Sequence, residues 1–494
     1  TIPMFMMSPN ELAPSEDQSV LFGIINTAAN ATTDQNAVYS KAAEEVMLNV
    51  PETALTFQLL FPPSIGASIG ADGFSGMVVK PWAERDRTVN QILPEVQAEV
   101  SKIPGIQMFM TTPPALPGGS NFPVEFVITS TADSIELLQF AKAIQQRAME
   151  SGLFFFPPTI DLKLDQPQAT ANFDRDKLAA LGLNLSEVGA NLGIATGGNY
   201  VNRFNMDGRS YKVIPQVQRS ARLNSEQLQD IYINAANGQM VPMSTVTEIE
   251  HDVVARSLNR FQQLNSVKLS GVSSRTLDEA LTFLEDTASE ILPPGYSFDY
   301  TGESRQLRTE GNKFLPAFSL AVLLIFLVLS VQFNSFRDPL VILAGSVPLA
   351  MFGALIFTVL KIPDPNTDYW TNGWTTTMNI YAQVGLVTLV GLIAKNGILI
   401  VEFANKLQES GINKLDAVHD AAMTRLRPVL MTSVATVAGH FPLVLVTGAG
   451  AAARNSIGLV LVGGMAIGTV FTLFIVPSLY VLIAKDRSVK HSKS

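Results

Sequence analysis

Cysteine is absent from this sequence of 494 residues, and charged residues are scarce, at 16%. The lack of cysteine excludes disulfide bonds and thiolate metal sites. Soluble globular chains usually contain about 25% charged residues, so this deficit, together with 47% hydrophobic residues, indicates membrane segments. A net charge of −9 argues against nucleic acid as the main partner. The four histidines are scattered, and no nucleophile elbow, phosphate loop or metal-ligand cluster is present, so an enzyme is not expected.

The first residues of the chain change from apolar to polar. We interpret residues 1–13 as the end of a preceding membrane helix and a linker, with a flexible terminus as the alternative. Because the first residue is Thr1 and no signal peptide is present, we expect further sequence upstream.

Short alternating strands and amphipathic helices fill the region from about 19 to 302. Residues 14–118 have the order βαββαβ, which is the split βαβ unit of a ferredoxin-like sandwich. The segment between its two middle strands, 62–73, is rich in Gly, Ser and Ala. A loop of this length predicts a functional role.

The same order of elements starts again in residues 119–167 and is completed only in residues 263–303. The intervening residues 168–262 have short strands of their own and turns at Asp207-Gly208 and Asn237-Gly238. Insertions at loop tips are tolerated when the flanking ends stay close. The sequence therefore predicts two related α+β units, the second carrying an inserted module.

Residues 304–484 are predicted to form a transmembrane region. Each of five apolar runs meets the need for about 20 residues to cross a bilayer: 314–333, 339–360, 378–404, 428–447 and 456–484. Basic residues concentrate in the loops of one side, which predicts that the tail, 485–494, is cytoplasmic. With five crossings, residues 14–310 lie outside the cytoplasm.

The opposite side has few basic residues. In its short loops only Lys361 and Arg454 are basic. The loop before the third run also contains Tyr369, Trp370 and Trp374, which are typical of a membrane interface.

Lys395 lies near the middle of the third apolar run. A lysine at that depth costs roughly 2.5–3.5 kcal/mol, so it usually faces a bundle interior or water. Glu402 is the sole acid in the five runs. It lies about 10 Å further along the helix axis, so it cannot pair with Lys395, and we interpret it as an interfacial acid. A counter-charge for Lys395 is therefore expected on another segment, unless the lysine lines water.

Arg425 and Thr432 share one face of the fourth predicted span. Alone, Arg425 is also compatible with a positive-inside anchor, and Thr432 with a hydroxyl at a helix contact. His440, further along this span, is interpreted as a packed or interfacial residue.

Seven motifs together resemble the C-terminal half of a resistance-nodulation-division (RND) efflux permease of the hydrophobe/amphiphile multidrug branch. In the membrane region these are 391–405 (GLIAKNGILIVEFAN), 425–432 (RLRPVLMT) and 447–450 (TGAG). In the soluble region they are 14–18 (PSEDQ), 197–202 (GGNYVN), 207–209 (DGR) and 237–242 (NGQMVP). The similarity runs nearly from end to end.

This resemblance implies a homotrimeric pump in the inner membrane of Gram-negative bacteria. The two α+β units would be porter subdomains, and the inserted module would dock toward an outer-membrane channel surrounded by a periplasmic adaptor protein. Transport would be drug/proton antiport, driven by the proton gradient without a cofactor. The five spans would be the eighth to twelfth helices of the permease.

The resemblance also implies roles for individual residues. Lys395 would pair with two aspartates of the N-terminal half, and Arg425 and Thr432 would belong to the same proton relay. The four predicted substrate contacts are Phe22, Ile24, Phe57 and Phe109. Strand core is the alternative for each of them.

The loop 62–73 falls on the switch loop of the family. It reads Pro-Pro-Ser-Ile-Gly-Ala where the multidrug pumps often have phenylalanines, which leaves the substrate range open. Two other functions remain at this point. One is a metal-exporting RND pump that uses Met108 and Met110, and the other is a membrane-anchored binding or chaperone module of a split system.

Overall fold

A computed structural model describes residues 2–8, 10–14, 16–61, 71–116, 120, 122–235, 238–359 and 377–487. The chain divides into two compact units. One comprises Thr1–Thr27, Thr32–Leu162 and Leu258–Ser494, and the other Ala28–Ala31 and Lys163–Ser257. Several predicted features lie outside the described residues: residues 62–70 of the loop 62–73, Lys361, Tyr369, Trp370, Trp374, Asn237 and the tail from 488 onward.

The first sheet has four antiparallel strands with the spatial order β2-β3-β1-β4. The elements of this region are α1 (Ile2–Met7), β1 (Val20–Thr27), α2 (Thr33–Leu48), β2 (Thr53–Leu60), β3 (Gly73–Val79), α3 (Val89–Val100) and β4 (Ile106–Thr111). Thr32 caps α2 by accepting a hydrogen bond from Gln35 N, and a capping box of Thr88 and Gln91 begins α3. Side chains alternate between the two faces of a strand. One face therefore packs on α2 and α3 through a core that includes Leu21, Ile25, Met77, Met108 and Met110.

The second sheet begins with β5 (Val124–Ser130), α4 (Ser134–Glu150) and β6 (Thr159–Ile160). The chain then leaves this sheet, after β6 has paired with the later strand β14 (Leu264–Gly271) only over Thr159–Ile160.

The smaller unit is built on a long antiparallel ribbon. Its elements are β7 (Leu164–Phe173), α5 (Arg175–Ala180), α6 (Leu185–Thr196), β8 (Asn202–Met206), β9 (Arg209–Val213), β10 (Tyr232–Asn234), β11 (Met240–Pro242) and β12 (Thr247–Ala255). The ribbon pairs β7 with β12, from Thr247 opposite Phe173 to Ala255 opposite Leu164. With this ribbon included, the main part of the smaller unit runs over Lys163–Ser257, whereas the predicted module was 168–262.

The hairpin β8–β9 is exposed along its whole length. It turns at Asp207 and Gly208, whose φ angles are 50° and 74°. A two-residue loop with positive φ at both positions is the type I′ turn that Asp-Gly favours. The rings of Phe204 and Tyr211 stack at 5.7 Å on this hairpin, and no described residue covers this apolar surface.

The chain returns to the second sheet after the smaller unit. The elements are β13 (Arg260–Phe261), β14 (Leu264–Gly271), α7 (Leu277–Ile291), β15 (Tyr296–Tyr300) and α8 (Gly302–Glu310). The sheet order is β13-β14-β5-β15, with β6 also beside β14. Its central strand β5 is buried at every position, whereas β15 at the edge is only partly covered.

Five long helices follow: α9 (Phe314–Phe333), α10 (Arg337–Val359), α11 (Ile380–Glu409), α12 (Lys414–Val444) and α13 (Ala451–Ile483). Among the described residues, α9, α10, α11 and α13 are long and apolar enough to cross a membrane. The helix α12 is not among them, and its N-terminal half contains charged residues such as Asp416, Asp420 and Arg425. Four of the five predicted spans are thus present as apolar helices, and a crossing by α12 stays a prediction.

Glycines bring the backbones of α10 and α13 into contact. A Cβ on Gly353 would lie 2.7 Å from the carbonyl oxygen of Gly463. A Cβ on Gly468 would lie 2.9 Å from Cα of Ala350. Small residues at such positions allow close approach of membrane helices. The two helices therefore approach closely enough at these points for the backbone of one to contact the backbone of the other.

A buried polar network lies where α10 begins and where α11 and α13 end. The Tyr480 hydroxyl donates to Asn405 Oδ1 at 2.6 Å and accepts from Gln408 Nε2 at 2.6 Å. Asn405 Nδ2 donates to Asp338 at 3.1 Å, and Arg487 N donates to Gln408 Oε1 at 2.8 Å. The network links three helices to the segment that follows α13.

The linker before the first sheet is tied to the start of α11. Asn10 forms a parallel bridge with Met378, and Ile380 N donates to Leu12 O at 3.2 Å. Below this point, Ser8 and Thr358 share a hydrogen bond of 2.6 Å between their hydroxyls. The soluble region and the helix bundle of the larger unit are thus joined by backbone pairing and not only by chain connectivity.

Candidate functional site

Lys395 lies in the middle of α11, the helix that the sequence singled out. Its side chain is partly buried, and its ammonium donates a hydrogen bond to Thr436 Oγ1 of α12 at 3.3 Å. Among the described residues it forms no salt bridge. A neutral hydroxyl compensates a buried charge only in part. The geometry therefore leaves the ammonium available to a carboxylate.

Glu402 does not supply that carboxylate. It pairs with Lys406 at 2.8 Å, one turn further along α11, and both side chains are largely exposed. The expectation that Glu402 lies at the edge of the span and away from Lys395 agrees with this position. Such an exposed i,i+4 pair contributes little to stability.

A polar contact beside Lys395 holds three helices together. Asn396 is fully buried, and its Nδ2 donates to Ser433 Oγ of α12 at 3.1 Å and to Thr469 Oγ1 of α13 at 3.3 Å. Thr469 in turn donates to Ser433 at 3.0 Å. Asn396 Oδ1 has no hydrogen-bond partner in the described part of the chain. The neighbour of Lys395 thus carries a buried acceptor that is not satisfied in this arrangement.

Thr432 and Arg425 lie on α12, seven residues apart, and Arg425 contacts α11. The Thr432 hydroxyl donates to Val429 O at 3.1 Å, within its own helix. The guanidinium of Arg425 lies over the ring of Phe403 of α11 at 4.7 Å, a cation–π contact. Arg425 Nε is buried and, within the described ranges, has no hydrogen-bond partner. Both residues therefore stay relay predictions, and among the described residues neither is bonded to Lys395.

The four predicted substrate contacts share one face of the first sheet. Ile24 of β1 pairs with Phe109 of β4 on one side, while Phe22 of β1 and Phe57 of β2 both pair with Gly76 of the strand between them. This face is opposite to the core that α2 and α3 cover. Its aromatic residues are partly buried, whereas Ile24 is 6% exposed.

Phe74 belongs to the same face, and the sequence reasoning missed it. It pairs with Ile24, and its ring lies 5.0 Å from that of Phe22 and 6.3 Å from that of Phe57. Gly76 makes this cluster possible, because a Cβ at that position would lie 2.0 Å from the Phe57 ring. The alternation of Phe74 with Gly76 along β3 was the signal that could have revealed both.

Met108 and Met110 lie on the covered face of the first sheet. They are 2% and 0% exposed and belong to its core cluster. Methionine in such a position fills irregular gaps between side chains. Among the described residues, no group of three or more His, Asp or Glu side chains is arranged to hold a metal ion. The proposed methionine ligands of a metal exporter are thus core residues.

Known proteins that resemble this chain are membrane transporters. A family model described as AcrB/AcrD/AcrF family matches residues 1–484. An uncharacterized transporter of Haemophilus influenzae is 39% identical over 98% of this chain and 46% of its own length. The toluene efflux pump membrane transporter TtgB of Pseudomonas putida is 32% identical over 97% of this chain and 45% of its own. The multidrug export protein AcrF of Escherichia coli is 29% identical over 98% and 46%, respectively. The chain spans a little less than half the length of these relatives.

Proposed function

Because this chain belongs to the AcrB/AcrD/AcrF family of resistance-nodulation-division efflux permeases, we propose that it is the part of such a permease that supplies the basic side of a proton relay and one wall of the substrate path. The reaction is proton-coupled export of amphiphilic compounds, which is transport and not enzymatic turnover. The names of its relatives TtgB and AcrF, a toluene efflux pump and a multidrug export protein, support this class of substrate.

The observation that carries the proposal is Lys395 with its incomplete set of partners. The Lys395 ammonium lies in a helix that is apolar enough to cross a membrane, and within the described part of the chain its hydrogen-bond partner is the Thr436 hydroxyl. A buried charge normally has a partner of opposite sign. We infer that two carboxylates outside this chain, aspartates by resemblance to the family, supply it.

Such a pair couples proton binding to a change in helix packing. An ammonium within about 4–6 Å lowers the pKa of a carboxylate, and its withdrawal raises that pKa. Protonation of the carboxylates removes their attraction for Lys395. The lysine then depends on α12, where Thr436, Thr432 and Arg425 lie.

The polar contact beside Lys395 offers a second arrangement for the same helices. Asn396, Ser433 and Thr469 exchange hydrogen bonds among α11, α12 and α13, and Asn396 Oδ1 is unsatisfied. A small shift of α11 can exchange these partners without exposing them to lipid. Proton binding then selects between two packings of the bundle.

The aromatic face of the first sheet is the proposed substrate surface. Its residues Phe22, Phe57, Phe74 and Phe109 are not part of the core under α2 and α3, and they offer rings to an amphiphilic molecule. Pockets for such ligands are mostly apolar, with few polar groups. The two ferredoxin-like units are proposed to act as porter subdomains that open and close over this surface.

The remaining features of the family are proposed for the assembled protein. The exposed hairpin β8–β9 offers an apolar surface of the kind that marks protein interfaces, which supports a homotrimer. The smaller unit is proposed to dock toward an outer-membrane channel with a periplasmic adaptor protein. The orientation that we propose places residues 14–310 in the periplasm of a Gram-negative cell, the C-terminus in the cytoplasm and α12 across the inner membrane.

A transport assay on the permease that contains this chain tests the proposal. We expect Lys395→Ala and Lys395→Met to abolish efflux of a fluorescent amphiphilic dye from cells, and also dye-driven proton release from everted vesicles. Lys406→Ala is the matched control, since Lys406 lies on the same helix but is exposed. Immunoblots of membranes establish equal amounts of protein. Efflux at the normal rate in both Lys395 variants contradicts the relay.

A further inference from the structure

Two motifs of the sequence, 14–18 (PSEDQ) and 447–450 (TGAG), meet at the start of α13. Glu16 Oε1 accepts a hydrogen bond from Ala453 N at 3.0 Å, although 437 residues separate the two. The relay at Lys395 and the aromatic face of the first sheet use neither motif. A role for this contact between the linker and the bundle therefore remains to be assigned.

Glu16 supplies a hydrogen-bond acceptor that the start of α13 lacks. The N-cap position of this helix is Gly450, which has no side chain to accept a hydrogen bond. Ala453 is the third residue of the helix, and capping side chains usually bind the N–H group of the second or third residue. A carboxylate near a helix N-terminus is also favoured by the helix dipole. The cap of α13 therefore comes from the linker and not from α13 itself.

Asp17, the next residue, binds the first α+β unit. Its Oδ2 accepts a hydrogen bond from N of Val89, the first residue of α3, at 2.7 Å, and its Oδ1 accepts from Arg85 Nη2 at 2.8 Å. The side chains of Asp17 and Arg85 are 6% and 1% exposed. Two adjacent carboxylates thus bind the starts of two helices, one in the bundle and one under the first sheet.

A second contact joins the loop before α13 to the first α+β unit. The guanidinium of Arg85 lies over the ring of Trp82 at 4.5 Å, a cation–π contact. A Cβ on Gly448 would lie 4.0 Å from Cγ of this ring. The loop 447–450 therefore approaches the first unit at two points, Glu16 and Trp82.

The other end of the linker is bound to the start of α11. Leu12 O accepts from Ile380 N at 3.2 Å. Glu11, which lies close to the buried Glu303 of α8, accepts from the Thr377 hydroxyl at 3.0 Å. The four residues from Leu12 to Glu16 span at most about 14 Å. Such a short segment has little slack, so its two ends cannot move apart without displacing β1, which follows it.

The helices α11 and α13 also meet beside the relay. Asn396 of α11 donates to Thr469 of α13 at 3.3 Å, and α13 contacts the backbone of α10 at Gly463. In the proposed relay, proton binding changes the packing of α11 against α13. The linker is bound to both helices and therefore experiences this change at its two ends.

We propose that Glu16 is a positioning residue of the transport cycle, which fixes the end of the linker to α13, so that a shift of α11 turns the linker and moves β1. The proposal rests on the relay at Lys395 as the source of the motion. Glu16 itself neither transfers a proton nor contacts the substrate. Without this anchor the linker follows α11 freely, and the bundle changes its packing without moving the first sheet. Protons then cross the membrane without export of substrate.

Transport by the permease that contains this chain, reconstituted into liposomes, tests this role. We expect Glu16→Ala to slow dye export several-fold and to permit proton flux along a pH gradient in the absence of dye. Glu16→Gln keeps an oxygen that accepts from Ala453 N, so it should restore most of the export and suppress this flux. Glu84→Ala, at an exposed carboxylate two residues from Trp82, is the matched control and should behave as the unsubstituted protein. Melting temperatures verify that all variants fold.

A double variant relates the proton flux to the relay. The dye-independent flux of Glu16→Ala should disappear in Glu16→Ala/Lys395→Ala, because protons pass through the relay. Normal export in Glu16→Ala, slow export without this flux, a flux that persists in the double variant, or equal effects of the alanine and glutamine variants overturns the proposal. Normal export in Lys395→Ala contradicts the relay itself. If Lys395→Ala abolishes export and Glu16→Ala exports normally, only the role of Glu16 fails.

Discussion

Arg487 and Asp338 form a salt bridge of 2.8 Å across 149 residues of sequence. The side chain of Asp338 is only 2% exposed, whereas that of Arg487 is 24% exposed. Asp338 also accepts a hydrogen bond from Asn405, but among the described residues Arg487 is its cationic partner. The negative charge of the buried Asp338 carboxylate is therefore compensated by Arg487, a residue that follows the last helix.

Removal of Arg487 is expected to destabilise the bundle more than removal of both partners. Arg487→Ala leaves the Asp338 carboxylate buried without a counter-charge, which typically costs about 3–5 kcal/mol. In Asp338→Asn/Arg487→Ala no charge is left behind, so part of this loss is recovered. Thermal unfolding in detergent measures both, with Arg337→Ala at an exposed position as the control. A double variant that is less stable than Arg487→Ala argues against this account.

Raising the pH is expected to destabilise the junction that contains Glu11. Its pKa is raised to about 7 in the folded protein, from an ordinary value of 4.5. The stability that the protonated form contributes is therefore complete below about 4.5 and is lost as the pH rises through about 7. The upper limit of this contribution to the free energy of unfolding is about 3 kcal/mol. The free energy of unfolding, measured between pH 5 and pH 8, should fall with rising pH in the unsubstituted protein. In Glu11→Gln this fall should be smaller.

Loss of the hydroxyl that binds Lys395 is expected to impair transport without preventing assembly. Thr436→Val keeps the shape of the side chain but removes the acceptor at 3.3 Å from the ammonium. In the proposed relay, protonation of the two carboxylates outside this chain leaves Lys395 dependent on Thr436. Without the hydroxyl, this protonated state of the bundle becomes less stable. Dye efflux should fall several-fold. Thr436→Ser, which retains the hydroxyl, should restore it, and Ser478→Ala, at an exposed hydroxyl of α13, should transport normally.

A methyl group at Gly76 is expected to displace Phe57 from the aromatic face. The added Cβ would lie 2.0 Å from the ring, and such overpacking typically costs about 1–3 kcal/mol. We expect Gly76→Ala to reduce efflux of bulky amphiphiles to the level of Phe57→Ala. Gly189→Ala has open space around its Cβ and is the control. Unchanged efflux in Gly76→Ala would exclude this face from the substrate path.

Local periodicity predicted most of the helices and strands. The short apolar runs of β1 and β4, and the long apolar runs of α9, α10, α11 and α13, depend on neighbouring residues, which a sequence displays directly. The solitary Lys395 was visible for the same reason. The bounds of the inserted module were displaced because they depend on the pairing of Leu164 with Ala255, which no local pattern encodes.

Three important residues escaped prediction because distant partners determine their surroundings. Asp338 lies just before the predicted run 339–360, and it is buried because Arg487 forms a salt bridge with it. Glu11 was assigned to a polar linker, although Thr377 binds it. Glu303 is hidden by the meeting of two sheets with the linker. Burial of a charge is a property of the assembled chain, and hydropathy over a short window does not report it.

The close contact between the backbones of α10 and α13 restricts the sliding of these two helices against each other. A Cβ on Gly353 would lie 2.7 Å from the carbonyl oxygen of Gly463, and a Cβ on Gly468 would lie 2.9 Å from Cα of Ala350. We therefore expect α10 and α13 to move together as one rigid pair. In the proposed relay, we therefore expect motion that begins at Lys395 to involve α11 and α12, which shift relative to α10 and α13. The hydrogen bond from Ile380 N to Leu12 O joins the start of α11 to the linker before the first sheet, so we expect a shift of α11 to displace that linker as well.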